Sequence, residues 1–125
     1  MLNHISLQCA DVKASASFYD TVLATIGGSR QIDFPPHAIG YGTQPNQPQF
    51  WIGMFNSGQG FRETHVAFSA GSRAEVDAFC TAAVAWGAEV LHQPKLWPEY
   101  TPDYYAAFVR DPDGNNIEAV TFAPA

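Results

Sequence analysis

Hydrophobic and polar residues alternate at the start of the chain and then give way to helical spacing. The alternation over residues 2–8 predicts a strand. A helical spacing then runs from Asp11, an N-cap candidate, to the stop signal Gly27-Gly28. The buried positions of this predicted helix are Phe18, Val22 and Ile26. Three short strand candidates follow, separated by prolines: residues 29–34, 38–43 and 49–55.

The same order of elements is repeated in the second half of the chain. A strand over residues 62–69 precedes a helix that opens with a capping box from Ser72 to Glu75 and ends before Gly87. The buried positions predicted for this helix are Val76, Phe79, Ala83 and Val84. The last three strand candidates are residues 88–93, 104–110 and 115–122. The pattern predicts an α+β domain over residues 1–125 built from two βαβββ modules, about 1–58 and about 61–123.

An overlay of residues supports an internal duplication. With an offset of 61 residues, His4 falls on His65 and Phe18 on Phe79. Near the end the offset grows to 67, which places Tyr41 on Phe108 and Trp51 on Glu118. The extra residues enter in the Pro- and aromatic-containing segment 95–102, which is expected to be either the rim of a site or a plain surface insertion.

Composition narrows the classes of function. The formal net charge is −6, and the six lysines and arginines are scattered, so nucleic acid is excluded as an expected partner. No stretch approaches the ~20 apolar residues of a membrane span, and no leader pattern precedes the first strand, so a cytoplasmic protein without a membrane partner is expected. The two cysteines, Cys9 and Cys80, are expected to be free thiols.

Three residues carry the candidate chemistry. His4 and His65 recur at one predicted strand position of the repeat, and Glu118 lies on another alternating strand. Two imidazoles and one carboxylate form a facial ligand set for a divalent metal, which leaves other coordination positions free for water or substrate. A single strand histidine is more often a hydrogen-bonded structural residue, but the coincidence of two repeat-related histidines with a carboxylate favours a site.

The motifs resemble those of a known group. The helix pair Phe18-Tyr19, the strand segment 64–68 with its histidine, and above all the Asp-Pro-Asp-Gly-Asn turn at 111–115 followed by Ile117-Glu118 are similar to the vicinal oxygen chelate superfamily. That superfamily includes glyoxalase I, extradiol dioxygenases, fosfomycin-resistance transferases, methylmalonyl-CoA epimerase and bleomycin-binding proteins. The resemblance implies a curled, U-shaped mixed sheet with helices on the outside, a bound metal and a homodimer.

The resemblance also assigns metal ligands residue by residue. The superfamily's positions on the first, fifth and eighth strands fall on His4, His65 and Glu118, and the ion would be Mn, Fe, Zn, Ni or Mg. The fourth ligand of glyoxalase I and the epimerase falls on Trp51, whose indole nitrogen is only a donor. This departure argues against glyoxalase I activity and leaves a three-ligand site.

Several polar and aromatic side chains are candidates for the substrate pocket. Strand alternation puts Phe108 and Tyr104 on one face, and Tyr41 is expected there through the overlay. Tyr41 and Tyr104 are therefore predicted catalytic hydroxyls that would orient a substrate or pass a proton, with a core role as the alternative. The predicted pocket walls are Trp51, Phe108, Trp97 and Tyr100. His37 and His92 are expected to be surface or structural residues, with a supporting acid or base role as the alternative.

Two hypotheses follow from these residues. The first is a metalloenzyme with lyase or isomerase, dioxygenase or transferase chemistry, in which a Lewis acid stabilises an oxyanion formed on a small oxygenated organic substrate. The second is a non-catalytic binding or antibiotic-resistance protein that holds an aromatic or amphipathic small molecule between Tyr41, Trp51 and Tyr104.

Overall fold

The predicted order of elements is confirmed by the computed structural model, which describes residues 1–125. The fold is α+β, with two modules that each contain four strands and one α-helix. In chain order the elements are β1 Ile5–Cys9, α1 Val12–Leu23, a 3-10 turn Ala24–Ile26, β2 Ser29–Phe34, β3 Ala38–Gly42, β4 Phe50–Met54, β5 His65–Ser69, α2 Arg73–Trp86, β6 Val90–Leu96, β7 Tyr105–Arg110 and β8 Asn116–Thr121.

Each module forms its own four-stranded mixed sheet, and the two sheets have the same topology. The strand orders are β1-β4-β3-β2 and β5-β8-β7-β6. Strands β1 and β4 are parallel, as are β5 and β8, while the other neighbours are antiparallel. Ser6 pairs with Trp51 in the first sheet, and Ala67 pairs with Glu118 in the second. The predicted overlay of Trp51 on Glu118 is therefore confirmed by the register.

Both helices begin at the predicted caps, and α2 ends at the predicted Gly87. Helix α1 ends earlier than predicted, at Leu23, and the 3-10 turn Ala24–Ile26 continues the chain to the predicted stop at Gly27. The Asp11 carboxylate accepts a hydrogen bond from the Ala14 amide at 3.1 Å, which satisfies a donor that the first turn of α1 leaves free. Ser72 does the same for α2, accepting from the Glu75 amide at 3.2 Å. Helix α2 is followed by Gly87 at φ +104°, a left-handed conformation that a residue with a Cβ adopts only with strain.

One predicted core position on α2 is wrong. Val84 is 52% exposed, whereas Cys80 is 3% exposed and takes its place in the core. At 3.6 residues per turn, Val84 lies about 80° around the helix from the buried Val76, outside the stripe that faces the sheet. The two cysteines are free, as predicted.

A single core joins the two modules on the helix-covered faces of their sheets. Its 21 buried residues come from both halves of the chain. Phe50 of β4 and Phe68 of β5 meet edge to face there, with ring centroids 5.0 Å apart. A separate cluster of four buried residues lies on the other face of the second sheet: Trp97, Ala106, Phe108 and Val120. Neither helix is both long and apolar enough to cross a membrane.

The turn between β7 and β8 ties the modules together by hydrogen bonds. The buried Asp111 carboxylate accepts from the amides of Asp113 and Asn115 within the turn, both at 2.9 Å. It also accepts from the Tyr19 hydroxyl of α1 at 2.6 Å, and Asp113 accepts from the Ala10 amide at 3.0 Å. The predicted turn at 111–115 is therefore present, with Asp111 bonding the amides of the turn and Asp113 bonding the first module.

Candidate functional site

The second sheet brings two of the three predicted metal ligands together on the face away from the shared core. His65 opens β5 opposite Asn116, and Glu118 follows two residues along β8 on the same face. The Nε2 atom of His65 lies 2.9 Å from the Glu118 Oε2 atom. Glu118 is 1% exposed, whereas the His65 side chain is 49% exposed. The buried Glu118 carboxylate therefore contacts a histidine that is itself exposed to solvent.

The hydrogen bonds of His65 fix the orientation of its ring. Its Nδ1 atom lies 3.0 Å from the Asn116 carbonyl oxygen, which only accepts, so Nδ1 carries the hydrogen. In a neutral ring, Nε2 then directs its lone pair at the Glu118 carboxylate. Two acceptors at this distance require a proton or a metal ion between them.

The donor set fits a divalent ion. The 2.9 Å separation of the His65 nitrogen and the Glu118 oxygen matches the roughly 3 Å between adjacent ligands of an octahedral ion with bonds of about 2.1 Å. The Asn116 Oδ1 atom, on the same face of β8, is buried without a hydrogen-bond partner. The only basic side chain within ion-pair distance of Glu118 is His65, so no lysine or arginine neutralises the carboxylate charge.

The second oxygen of Glu118 is held by Tyr104. The phenol hydroxyl donates to Glu118 Oε1 through a short hydrogen bond. Burial raises the pKa of Tyr104 well above its usual value, and the hydrogen bond and charge of Glu118 raise it further. The phenol therefore stays protonated at neutral pH and remains a donor. The hydroxyl predicted to be catalytic is engaged by the carboxylate.

An aromatic wall surrounds this pair. Phe108 stacks against the His65 ring, with centroids 6.0 Å apart and planes 19° apart. Trp97 is 7% exposed and packs edge to face on Phe108 at 5.2 Å. The Lys95 ammonium lies 4.0 Å above the Trp97 ring. Both aromatic residues, predicted as pocket walls, thus lie beside the His65–Glu118 pair.

The connection between β6 and β7, which we call the aromatic loop (residues 97–104), borders the site. Tyr100 stacks on Trp97 at 5.8 Å and meets Tyr104 edge to face at 5.1 Å. The segment predicted to hold the insertion therefore lies at the rim of the site, the first of the two alternatives. Strand β6 extends to Leu96, so the loop begins later than the sequence indicated.

His4 lies elsewhere in the chain. It precedes β1, is exposed, and its Nδ1 atom is 2.6 Å from Asn3 Oδ1. It lines a cleft of about 640 Å³ together with Trp51. No group of three or more His, Cys, Asp or Glu side chains in the chain is arranged to hold a metal. The predicted triad is thus divided between two places on the chain. We call them half-sites: one contains His4 with Trp51, and the other contains the His65–Glu118 pair. Of these three residues predicted to lie in strands, Glu118 lies within β8, His65 is the first residue of β5 and His4 precedes β1.

The placement of Tyr41 on the site face is wrong by one residue. Gly40 pairs with Trp51, whereas Phe108 pairs with Glu118, so Gly40 and not Tyr41 is the counterpart of Phe108. A shift of one residue moves a strand side chain to the opposite face. Tyr41 is accordingly 1% exposed in the shared core, where its hydroxyl donates to Asp20 at 2.9 Å. Burial raises its pKa, and the hydrogen bond to Asp20 adds to the shift.

His92 lies beside the aromatic wall of the candidate site; the sequence had indicated a surface or structural role for it, with a supporting acid or base role as the alternative. It pairs with Phe108 across the sheet, and its ring meets Phe108 at 5.5 Å and Trp97 at 4.9 Å, edge to face. Register shifts on both sides of His92 interrupt the alternation of β6, so its face could not be counted from the sequence. His37, by contrast, is exposed in the turn after β2.

Comparisons with known proteins place the chain among similar folds. A family model for a glyoxalase-like domain matches residues 4–120. A glyoxalase/bleomycin resistance protein from Albidiferax ferrireducens is 28% identical, with a TM-score of 0.82 over 96% of this chain and 98% of that one. A lactoylglutathione lyase from Agrobacterium tumefaciens is 22% identical, with a TM-score of 0.70 over 96% and 92%.

A third solved structure shares the fold. It is a glyoxalase/bleomycin resistance protein/dioxygenase family enzyme from Burkholderia phytofirmans, 19% identical, with a TM-score of 0.72 over 97% of this chain and 98% of that one. Among proteins with curated descriptions, none matches the sequence.

Proposed function

The chain belongs to the glyoxalase-like domain family of the vicinal oxygen chelate superfamily, and on that premise we propose that it is a metal-dependent enzyme acting on a small oxygenated organic substrate. The observation that carries the proposal is the His65–Glu118 pair, in which the Nε2 atom of His65 faces a buried carboxylate oxygen at 2.9 Å. A divalent ion held there by His65 Nε2 and Glu118 Oε2 would resolve the opposition of two acceptors.

The third ligand would be His4 of a second copy of the chain. Its Nδ1 atom is engaged by Asn3, which leaves Nε2 available. Both half-sites lie outside the core that the two modules share, so a two-fold dimer can bring each half-site against the other half-site of its partner. Such a dimer would contain two identical sites, each with ligands from both chains.

The protein side chains divide the work around the ion. When bound, the ion would supply Lewis-acid stabilisation of negative charge that develops on a substrate oxygen. Phe108 and Trp97 would exclude water from one side and pack against the substrate carbon skeleton. The exposed His92 lies on β6, two strands from Glu118, and the backbones of these strands are about 10 Å apart across the sheet. A substrate that extends from the ion toward β6 would bring its far end within proton-transfer reach of the His92 ring.

A second function is favoured by one observation. Trp51 occupies the position equivalent to Glu118 and lies so close over Gly40 that a Cβ there would meet the indole at 2.9 Å. An indole at this place gives one half-site an apolar surface. A protein that binds an aromatic molecule without metal or catalysis is therefore the alternative.

Metal binding separates the two functions. Protein purified without chelator is analysed for metal, then stripped and titrated with Zn²⁺, Mn²⁺, Ni²⁺ and Fe²⁺. We expect one ion per chain for the wild type and for His37→Ala, and loss of binding for His65→Ala, since only the second substitution removes a ligand. Absence of wild-type binding at micromolar metal would refute the metalloenzyme and favour the binding protein.

A mixing experiment tests the assembly of the site. His4→Ala and His65→Ala each abolish binding in a pure dimer, but a mixed dimer has one site with every ligand intact. After unfolding and refolding an equal mixture, we expect about a quarter of the wild-type metal sites. No recovery, although mixed dimers form, would contradict a site shared between chains.

A further inference from the structure

The Glu118 carboxylate has a different partner for each of its oxygens. Oε2 faces His65 Nε2 at 2.9 Å, while Oε1 accepts the short hydrogen bond from Tyr104. Glu118 is 1% exposed, so bulk water does not compete for either oxygen. Rotation of the carboxylate about its last bond would break the Tyr104 bond. The phenol therefore holds the carboxylate at the rotation in which a single oxygen faces His65.

The position of Tyr104 is itself fixed by the aromatic loop. Its amide donates to the Thr101 carbonyl at 3.2 Å, and its carbonyl accepts from the Trp97 amide at 2.8 Å. Its ring meets Tyr100 at 5.1 Å and Phe122 at 5.3 Å, edge to face in both cases. These contacts hold the ring on two sides and the backbone at both polar groups, so the hydroxyl has little freedom to leave Glu118.

The same loop also reaches the histidine of the pair. Trp97 packs on Phe108 at 5.2 Å, and Phe108 stacks on His65 at 6.0 Å. The Trp97 indole is fixed in turn by donation to the Ala106 carbonyl at 3.3 Å. One loop therefore supports Glu118 through a hydrogen bond and His65 through packing. The corresponding connection of the first module, between β2 and β3, is shorter and spans only residues 35–37.

We propose that Tyr104 is a positioning residue that holds Glu118 as a one-oxygen ligand, with Oε2 aimed at His65, and that the aromatic loop determines this geometry. The proposal rests on the proposed metal site for its functional meaning. The orientation of Glu118 toward His65 is a property of the protein alone, and it is measurable without metal.

The test compares two neighbouring tyrosines. Tyr104→Phe removes the hydroxyl and keeps the ring. Tyr105→Phe is the matched control, because the Tyr105 hydroxyl also donates to a carboxylate, Asp77, at 2.7 Å, but on the helix-covered side. The metal-free protein is examined by ¹H–¹⁵N NMR of the histidine rings. The metal-bound protein is examined by chelator competition and by the visible spectrum of its Co²⁺ form.

The expected results differ between the variants. Tyr104→Phe shifts the His65 Nε2 resonance in the metal-free protein, lowers metal affinity about 10- to 100-fold and changes the Co²⁺ spectrum, because the carboxylate is free to turn. Tyr105→Phe leaves all three as in the wild type. Tyr104→Leu, which also removes the ring, is expected to match Tyr104→Phe in the resonance shift and to weaken binding at least as much.

Two other outcomes separate the failures. A wild type that binds no metal, with the His65 resonance still shifted in Tyr104→Phe, refutes the proposed function and supports the positioning of Glu118. Unchanged His65 resonances in a folded, metal-free Tyr104→Phe protein overturn the positioning role, whatever the metal affinity of the wild type.

Discussion

The two modules have the same strand pairing but present different chemistry on the faces that the shared core leaves free. At equivalent positions the first module has Trp51 above Gly40, and the second has Glu118 beside Phe108. The backbone of the repeat requires only that alternate residues of each strand be apolar and face the helices. The opposite face is free to diverge, so one copy carries a histidine beside an indole and the other a histidine, a carboxylate and a phenol.

The largest expected effect tests what the modules share. Phe18 and Phe79 are equivalent and both 0% exposed. Phe18→Ala and Phe79→Ala should each lower the free energy of unfolding by about 3–5 kcal/mol, measured by urea unfolding, because each leaves a cavity in the same core. Val84→Ala is the control and should change it by less than about 0.5 kcal/mol, since that side chain is exposed. A loss below about 1 kcal/mol at either phenylalanine would mean that the helices contribute unequally.

The next prediction tests where the modules differ. Trp51→Glu gives the first module the carboxylate that the second has at Glu118. If the half-sites meet in a dimer, the added oxygen becomes a further ligand and should raise metal affinity about tenfold, measured by competition with a chromophoric chelator. Trp51→Phe keeps the position apolar and should leave affinity unchanged. Equal affinity for both variants would show that Trp51 is not beside the ion.

The smallest expected effect concerns Tyr41, whose side chain lies in the shared core because of the register of β3. Its raised pKa means that the folded protein keeps the phenol protonated while the unfolded chain ionises near pH 10. The contribution of this group to stability is complete below about pH 10 and is lost as pH rises toward the folded pKa. Tyr41→Phe should lower the free energy of unfolding by about 1 kcal/mol at pH 8, measured by urea unfolding. Above pH 10, the free energy of unfolding of the variant should fall less steeply with pH than that of the wild type. Metal binding should be unchanged. A slope equal to that of the wild type would contradict the assignment.

The sequence predicted the elements because each carries its own local signal. Caps at Asp11 and Ser72 and the stop at Gly87 mark the helices, and alternation marks the strands. The site was predicted less completely, because face assignment requires counting through connections. The β3–β4 connection is one residue longer than the β7–β8 connection, so the Tyr41 side chain lies on the face opposite to the predicted one. The register shifts of β6 prevented the face of His92 from being predicted. The separation of His4 from Glu118 depends on the tertiary arrangement of the two sheets, which a local sequence pattern does not predict.

The turn at residues 111–115 has a bearing on how related sequences are interpreted. Its aspartates bind the turn's own amides, Tyr19 and Ala10, and none of these hydrogen bonds involves His65 or Glu118. The most recognisable sequence motif of the chain thus has a structural role, which is to link the two modules by hydrogen bonds. A sequence search built on that motif therefore selects for the scaffold and not for the proposed metal site. Under the proposed function, the residues at positions 65, 104 and 118 are the ones to compare between related proteins.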